Sequence, residues 1–306
     1  MFRILILTIF MVSFCQVPAI QAIEYSYKTL NFPNQIYNVT AWEINNMQQI
    51  VGNHGWIGFL YDNGNFIVLS APQNYKNSGR AINDKGIIII HDDGAYNNVF
   101  YDGTNYILLP FRGAATDMNN HEKITFSARH DGWHRGFIYD YHTGIITQVD
   151  SPWPNYSKGL DFRGINDLGI CAGDYDDING FGHGVIYDAG NFTILDFPGA
   201  EVTSLWKINN KRHIIGTGFI IKDDWNTQFS FLYDGVGFMK IAYPGASNTF
   251  VYGFNDLDQI VGSYLKDGQE YGFVASPIPL PGTLFLFGAG LASIGMYSFR
   301  KRLAKK

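Results

Sequence analysis

Aspartate and asparagine recur at fixed points of this sequence and are its first candidates for chemistry. Six segments share one form: Ile44-Asn45-Asn46, Ile82-Asn83-Asp84, Met118-Asn119-Asn120, Ile165-Asn166-Asp167, Ile208-Asn209-Asn210 and Phe254-Asn255-Asp256. Recurring at turn positions, where such side chains bond to nearby backbone, they read as structural rather than catalytic. Asp174-Tyr175-Asp176-Asp177-Ile178-Asn179-Gly180 clusters the oxygens a hard cation needs. Ile178 stands where an EF-type loop requires a ligand, so Asp174, Asp176, Asp177 and Asn179 are a calcium candidate that the spacing does not favour; no metal or cofactor is expected. The eight histidines show no HExxH spacing, and neither a Gly-x-Ser-x-Gly elbow nor a phosphate-binding glycine loop is present. No pair of carboxylates stands out for glycoside hydrolysis, so no catalytic residue is assigned. Trp133, Trp153 and Trp225 lie near inter-strand loops, outside the repeating strands, and are ligand-binding candidates whose faces would stack on sugar rings.

These residues sit in a repeat. Phe59-Leu60-Tyr61-Asp62, Val99-Phe100-Tyr101-Asp102, Phe137-Ile138-Tyr139-Asp140, Val185-Ile186-Tyr187-Asp188 and Phe231-Leu232-Tyr233-Asp234 each lead into a polar or glycine turn, a second apolar run and a proline. An Asn-centred turn follows, and then in several units an apolar strand ending in Gly, such as Ile260-Val261-Gly262. Short continuous apolar runs suit strands buried on both faces, and Asp62-Asn63-Gly64 and Asp234-Gly235 supply tight reversals. Four short strands in a unit of about 40 residues is the size of a propeller blade. Five units are whole; the sixth is split between the N-terminal segment and an orphan strand, Tyr271–Ala275. The unit from Ala95 to Asp131 is degenerate, with His121-Glu122-Lys123 in place of the turn glycine. The expected fold is all-β, a six-bladed β-propeller over 23–276 with N- and C-terminal segments closing the ring. Splitting one unit across the termini leaves no long exposed edge.

Composition agrees: 46% hydrophobic, 16% aromatic and 16% charged with 34 Gly is enough apolar material for a large core and excludes disorder. Without Arg3, Arg300, Lys301, Arg302, Lys305 and Lys306 the body carries about −11, which repels phosphate backbones and argues against nucleic acid. With Cys15 in the leader, Cys171 stands alone in the body, ruling out a disulfide framework; it is expected as a small buried hydrophobe.

The two ends are of another kind. Residues 1–22 have a basic residue, a short apolar run and small residues ending in Ala22, the layout of a signal peptide cut between Ala22 and Ile23. At the other end Leu280–Phe299 is apolar and long enough to cross hydrocarbon, and the basic cluster after it favours the cytoplasmic side. The layout of 277–306 resembles the PEP-CTERM tail of exosortase substrates, through Pro279-Leu280-Pro281, the Leu284–Gly288 start of the span and the terminal Arg300-Lys301-Arg302. Leu280 departs from it, standing where the name-giving form has Glu. That resemblance implies inner-membrane anchoring, an exosortase-type partner that cleaves near the prolines, and release to a polysaccharide-bearing surface.

The repeat itself resembles the HAF family of bacterial extracellular repeats. Phe229–Asp234 through Pro244-Gly245-Ala246 and Gly253–Asp256 to Gly262-Ser263-Tyr264 is the best copy. It implies a fold and almost no chemistry. The function expected is therefore an exported, non-catalytic interaction platform that binds polysaccharide, the alternative being a secreted glycan hydrolase or lyase on the same scaffold. Mass spectrometry of the native protein is expected to find an N-terminus at Ile23 and a C-terminus near Pro281; a retained tail ending in Lys306 counts against the sorting reading.

Overall fold

The computed structural model describes residues 23–33, 38–69, 77–92, 97–130, 133–153, 156–222 and 225–279. The leader with Ala22, the span 280–299 with Leu280 and Pro281, and Arg300, Lys301 and Arg302 lie outside them. Among the described residues no helix is long and apolar enough to cross a membrane.

Every described element is a strand. After β1 (Tyr25–Leu30) the first unit holds β2 (Val39–Ile44), β3 (Ile50–His54), β4 (Ile57–Asp62) and β5 (Asn65–Val68). The second holds β6 (Asn77–Ile82), β7 (Ile88–Asp92), β8 (Asn97–Tyr101) and β9 (Tyr106–Leu108). Next come β10 (Ala114–Met118), β11 (Lys123–His130), β12 (Trp133–Asp140) and β13 (Ile146–Val149), then β14 (Tyr156–Ile165), β15 (Cys171–Asp177), β16 (Gly182–Asp188) and β17 (Asn191–Ile194). The last are β18 (Val202–Ile208), β19 (Ile214–Lys222), β20 (Trp225–Tyr233) and β21 (Phe238–Ile241), followed by β22 (Asn248–Phe254), β23 (Ile260–Lys266) and β24 (Gln269–Pro277).

Within a unit the strands pair antiparallel in sequence order, and β1 pairs with β24 from Tyr25↔Pro277 to Leu30↔Gly272. The architecture is all-β and propeller-like. The sequence leads to six separate four-stranded sheets; the structure has four of these and one of eight strands. The difference lies where β12 meets β14 in parallel at His134↔Gly159. Gly159 has φ +100°, and a Cβ there would stand 1.9 Å from the His134 carbonyl oxygen. Only glycine lets the two backbones approach this closely, so the hydrogen-bond ladder runs on across the gap.

Packing explains the strand that ends in Gly. Gly52, Gly216 and Gly262 lie opposite Phe59, Phe231 and Phe273, whose rings are fully buried. A Cβ on Gly216 would stand 2.6 Å from the Phe231 ring and one on Gly52 2.8 Å from that of Phe59. The missing side chain makes room for the ring, and each ring buried this way contributes about 2–3 kcal/mol. Cys171 is wholly buried, and burial pushes its thiol far up.

The Asn-centred turns do more than reverse the chain. Each Asn Oδ1 accepts local backbone N–H groups, as Asn166 does from Leu168 at 3.1 Å and Ile170 at 3.0 Å. Each Nδ2 then donates to the backbone carbonyl of the Asn in the next unit: Asn45 to Asn83, Asn83 to Asn119, Asn119 to Asn166, Asn166 to Asn209, Asn209 to Asn255, and Asn255 back to Asn45, at 2.9–3.5 Å. A second ring lies beside the first: the backbone N–H of Asn46, Asp84, Asn120, Asp167, Asn210 and Asp256 each donates to the side-chain Oδ1 of the next residue in the cycle, at 2.7–2.9 Å. Three residues after each ring Asn the chain takes positive φ, at Gln48, Gly86, Glu122, Gly169, Arg212 and Asp258. The degenerate unit therefore follows the common pattern: Glu122 adopts φ 52°, and its carboxylate pairs with Lys85 at 2.6 Å and with His142.

Asn166→Ala removes a buried amide that bonds to two backbone donors and the Asn209 carbonyl. It is expected to cost roughly 2–4 kcal/mol, read as a lower urea midpoint at unchanged slope. Asn120→Asp, nearly isosteric, sets a third carboxylate between Asp84 and Asp167; its cost is expected to be largest at neutral pH and to shrink on acidification.

Candidate functional site

The six strands that open the units, β2, β6, β10, β14, β18 and β22, surround a central channel. Each carries a register shift just before its end, between Ala41/Glu43, Gly79/Ala81, Ala115/Asp117, Phe162/Gly164, Leu205/Lys207 and Val251/Gly253. The extra residue of a bulge turns side chains off the sheet-to-sheet interface. Three layers follow along the channel.

The outermost, at one end, is the Asn/Asp ring. Its members alternate in type, so both N–H groups of Asn46, Asn120 and Asn210 reach Oδ2 of a flanking aspartate, at 2.8–3.0 Å. Asn offers two donors and Asp only acceptors, and alternation is the arrangement in which none of the three carboxylates faces another directly. The ring and the layer below it line a cavity of about 70 Å³, room for a few waters at ~10–15 Å³ each.

Below it lies a charged stopper. Lys207 Nζ contacts Glu43 Oε2 at 2.5 Å, Asp117 Oδ1 at 2.8 Å and the Thr116 carbonyl at 3.0 Å, and the three charged side chains are deeply buried. Glu43 Oε1 also accepts the Ile44 and Phe254 N–H groups, and Asp117 those of Met118 and Ile165. The remaining positions of this layer are Ala81, Gly164 and Gly253. A Cβ on Gly253 would stand 2.6 Å from the Glu43 Cα, and one on Gly164 2.8 Å from that of Lys207. Burial, with Asp117 adding to it and Lys207 opposing, raises Glu43 to about 7; burial works against the Lys207 charge but is outweighed by the two carboxylates, which raise it.

On the far side of the stopper the bulge residues form an arc. Arg80 lies over the Trp42 ring at 4.1 Å, Trp42 packs on Tyr252 with centroids 4.5 Å apart, Tyr252 meets Trp206 edge-on at 5.2 Å, and Arg163 lies over Trp206 at 4.7 Å. Thr116 stands in the gap between the arginines and bonds to Thr125 and the Phe162 carbonyl. All six are half-buried. The indole N–H groups are held, Trp42 to Asn53 and Trp206 to Thr217, both at 2.5 Å. Arg163 grips Asp174 through Nε at 2.5 Å, and His134 bonds to Asp161 at 3.0 Å. Burial raises Asp174 against the pull of Arg163; it also raises Tyr252, to about 12.

Of the residues singled out in the sequence, Trp133 and Trp225 open β12 and β20, and their side chains lie outside the described residues. Trp153 stacks on Tyr175, 4.1 Å and 12° apart, inside the cluster around Phe162. The calcium candidates part company. Asp174 turns to Arg163, while Asp177 caps its own hairpin by accepting the Asn179 and Phe181 N–H groups, bonds that hold its carboxyl below the usual range. Among the described residues no cluster of three metal-ligating side chains is assembled. Ile23 packs against the β22–β24 cluster, and Pro279 lies two residues past β24. Sequence reasoning missed Trp42, Arg80, Arg163 and Tyr252 as a group, and left Trp206 among the repeating core. The available signal was a comparison between units: three residues before each ring Asn stand Trp, Arg, Thr, Arg, Trp and Tyr, a position that does not repeat.

Because native Glu43 holds a proton that the unfolded chain has lost between pH ~4.5 and ~7, its contribution to stability falls as pH rises through that window. Glu43→Gln is expected to remove that fall. The difference between variant and parent, from urea melts at pH 5 and pH 8, is expected to be about 1–3 kcal/mol in favour of the variant at the higher pH; parallel pH profiles would contradict the assignment.

No curated protein matches the chain in sequence. Several solved structures match its fold. A putative TolB from Agrobacterium tumefaciens superposes with TM-score 0.57 at 10% identity, over 85% of this chain and 100% of that one. The SapL1 lectin, solved in complex with alpha methyl fucoside, does so with TM-score 0.51 at 13% identity, over 81% and 99%. A putative gluconolactonase gives 0.50 at 10% identity, over 83% and 92%. At such identities the likeness shows the fold alone, that of propeller proteins. Residues 277–302 match the PEP-CTERM protein-sorting motif, which marks an exported surface protein, anchored through its C-terminal tail before an exosortase processes it.

Proposed function

We propose that this chain is an exported cell-surface or matrix-associated propeller that acts as a non-catalytic interaction platform for polysaccharide. The observation that carries the reading is the sorting motif over 277–302, which begins at Pro277, the last residue of β24. The anchor therefore leaves the folded body at the strand that β1 completes. A signal peptide removed after Ala22 fits the packing of Ile23 against that last sheet. We read the eight-stranded sheet as two blades joined at Gly159, which makes six with the other four, and the repeat as HAF-type; six ring asparagines support that count. The carboxylates nearest the arc favour binding over turnover, since Asp174 is tied to Arg163 and Asp161 to His134.

Two measurements test this reading. Cell fractionation is expected to find the protein in the membrane when the exosortase is deleted and in the surface or extracellular fraction when it is present. Purified protein is expected to be retained on the matrix polysaccharide of its own cells without shortening it. Release of reducing or unsaturated ends would establish the hydrolase or lyase alternative instead.

A further inference from the structure

The layers of the channel differ in how they obey the repeat. The ring asparagine is present in all six units, and the residue after it alternates strictly between Asn and Asp. The bulge layer keeps its backbone geometry in every inner strand but changes its side chain: Trp42, Arg80, Thr116, Arg163, Trp206, Tyr252. A position whose backbone repeats while its chemistry does not is not set by the demands of the fold. The side chains there stay half-buried rather than buried, although Trp206 also packs against the core between the last two units, and the indoles are locked by hydrogen bonds to neighbouring strands. Locking of this kind lowers the entropy lost when a ligand is bound. The Lys207–Glu43–Asp117 stopper lies directly beneath, so the arc faces a channel blocked on its inner side.

We propose that this end of the channel is a binding site for a neutral sugar residue at the end of a polysaccharide chain. The proposal deepens the platform reading above and rests on it. Ligand sites pair apolar walls with a few fixed polar groups. Here Trp42, Tyr252 and Trp206 form a continuous aromatic wall, which Phe250 extends along β22 with its ring parallel to that of Tyr252 within 3°. Sugar hydroxyls need donors and acceptors side by side, and Arg163 with Asp174 and His134 with Asp161 supply both. Charge decides the class of sugar. Arg163 is answered by Asp174, Arg80 lies over the Trp42 ring, and the body as a whole is acidic, so a uronate gains little here that a neutral ring lacks.

The test uses the full chain in detergent, with saturation-transfer NMR and tryptophan fluorescence. The probes are α-methyl glycosides of neutral hexoses and 6-deoxyhexoses, with glucuronate and galacturonate as the anionic arm. Neutral glycosides are expected to bind and to quench or shift the emission. Trp206→Ala is expected to weaken binding at least 10-fold and Trp206→Phe to recover most of it, while Val236→Ala, in the exposed turn between the outer strands β20 and β21, leaves it unchanged. Should Trp206→Ala melt far below the parent, Arg80→Gln is the second variant, expected to weaken binding at least 3-fold at an unaltered melt. Binding by neither class of sugar, binding confined to uronates, or equal binding in the Trp206 and Arg80 variants would each overturn the site. If both parent and Trp206→Ala are retained on matrix polysaccharide, the platform stands and the channel site falls.

Discussion

The circle of six asparagine amides is the interaction on which the rest of this structure depends. Each bond runs from one unit to the next, and the last, from Asn255 to Asn45, joins residues 210 apart in sequence. A buried amide must find partners or cost about 1–3 kcal/mol. Here each one finds them only if the following unit stands at the right distance and angle. The ring therefore acts as a gauge: it sets how closely the inner strands approach, and with that the width of the channel and what fits inside it. Sheet-to-sheet packing of rings such as Phe59, Phe231 and Phe273 supplies most of the cohesion, but packing alone is tolerant of small rotations. Hydrogen bonds that close on themselves are not.

Once the channel width is set, six full-sized side chains cannot converge on one axis, and the molecule resolves the crowding differently in each layer. In the outer ring Asn and Asp are both short and share hydrogen bonds by alternating. In the stopper Glu43, Asp117 and Lys207 occupy every second strand while Ala81, Gly164 and Gly253 make room between them. Burial, with the second carboxylate Asp117 adding to it against the pull of the single ammonium, is why Glu43 keeps its proton to higher pH. The arc resolves the same crowding by stacking side chains on one another around the wall and leaving a gap at Thr116.

Closure and anchoring meet at one edge. β1 pairs along the whole of its length with β24, and Ile278 N–H donates to the Glu24 carbonyl at 2.7 Å just beyond the paired strands. The sorting motif begins on that same strand. Force or processing applied to the tail is thus delivered to a strand held on both sides, by β23 and by β1, rather than to an edge that would peel.

Much of this was legible in the residues. The Tyr-Asp strands, the Asn-centred turns, the split sixth unit and the sorting tail all follow from local pattern, because strand alternation, turn chemistry and apolar length are properties of neighbours along the chain. The joined sheet at Gly159 was not legible, since a glycine is read as a turn until the backbone it approaches is known. Nor was the destination of the ring amides: the sequence shows an Asn at each turn and a plausible local bond, whereas the second bond of each leads to a residue some 36 to 210 positions away. The same holds for the candidate site. Trp42, Arg80, Arg163, Trp206 and Tyr252 look like scattered members of strands, and only the bulge and the circular arrangement of the units bring them to one wall. The aspartates and asparagines that opened the question are, by sequence alone, structural turn residues. That they also form two closed rings was decided by tertiary structure, because a circle of hydrogen bonds exists only when all six units are in place at once.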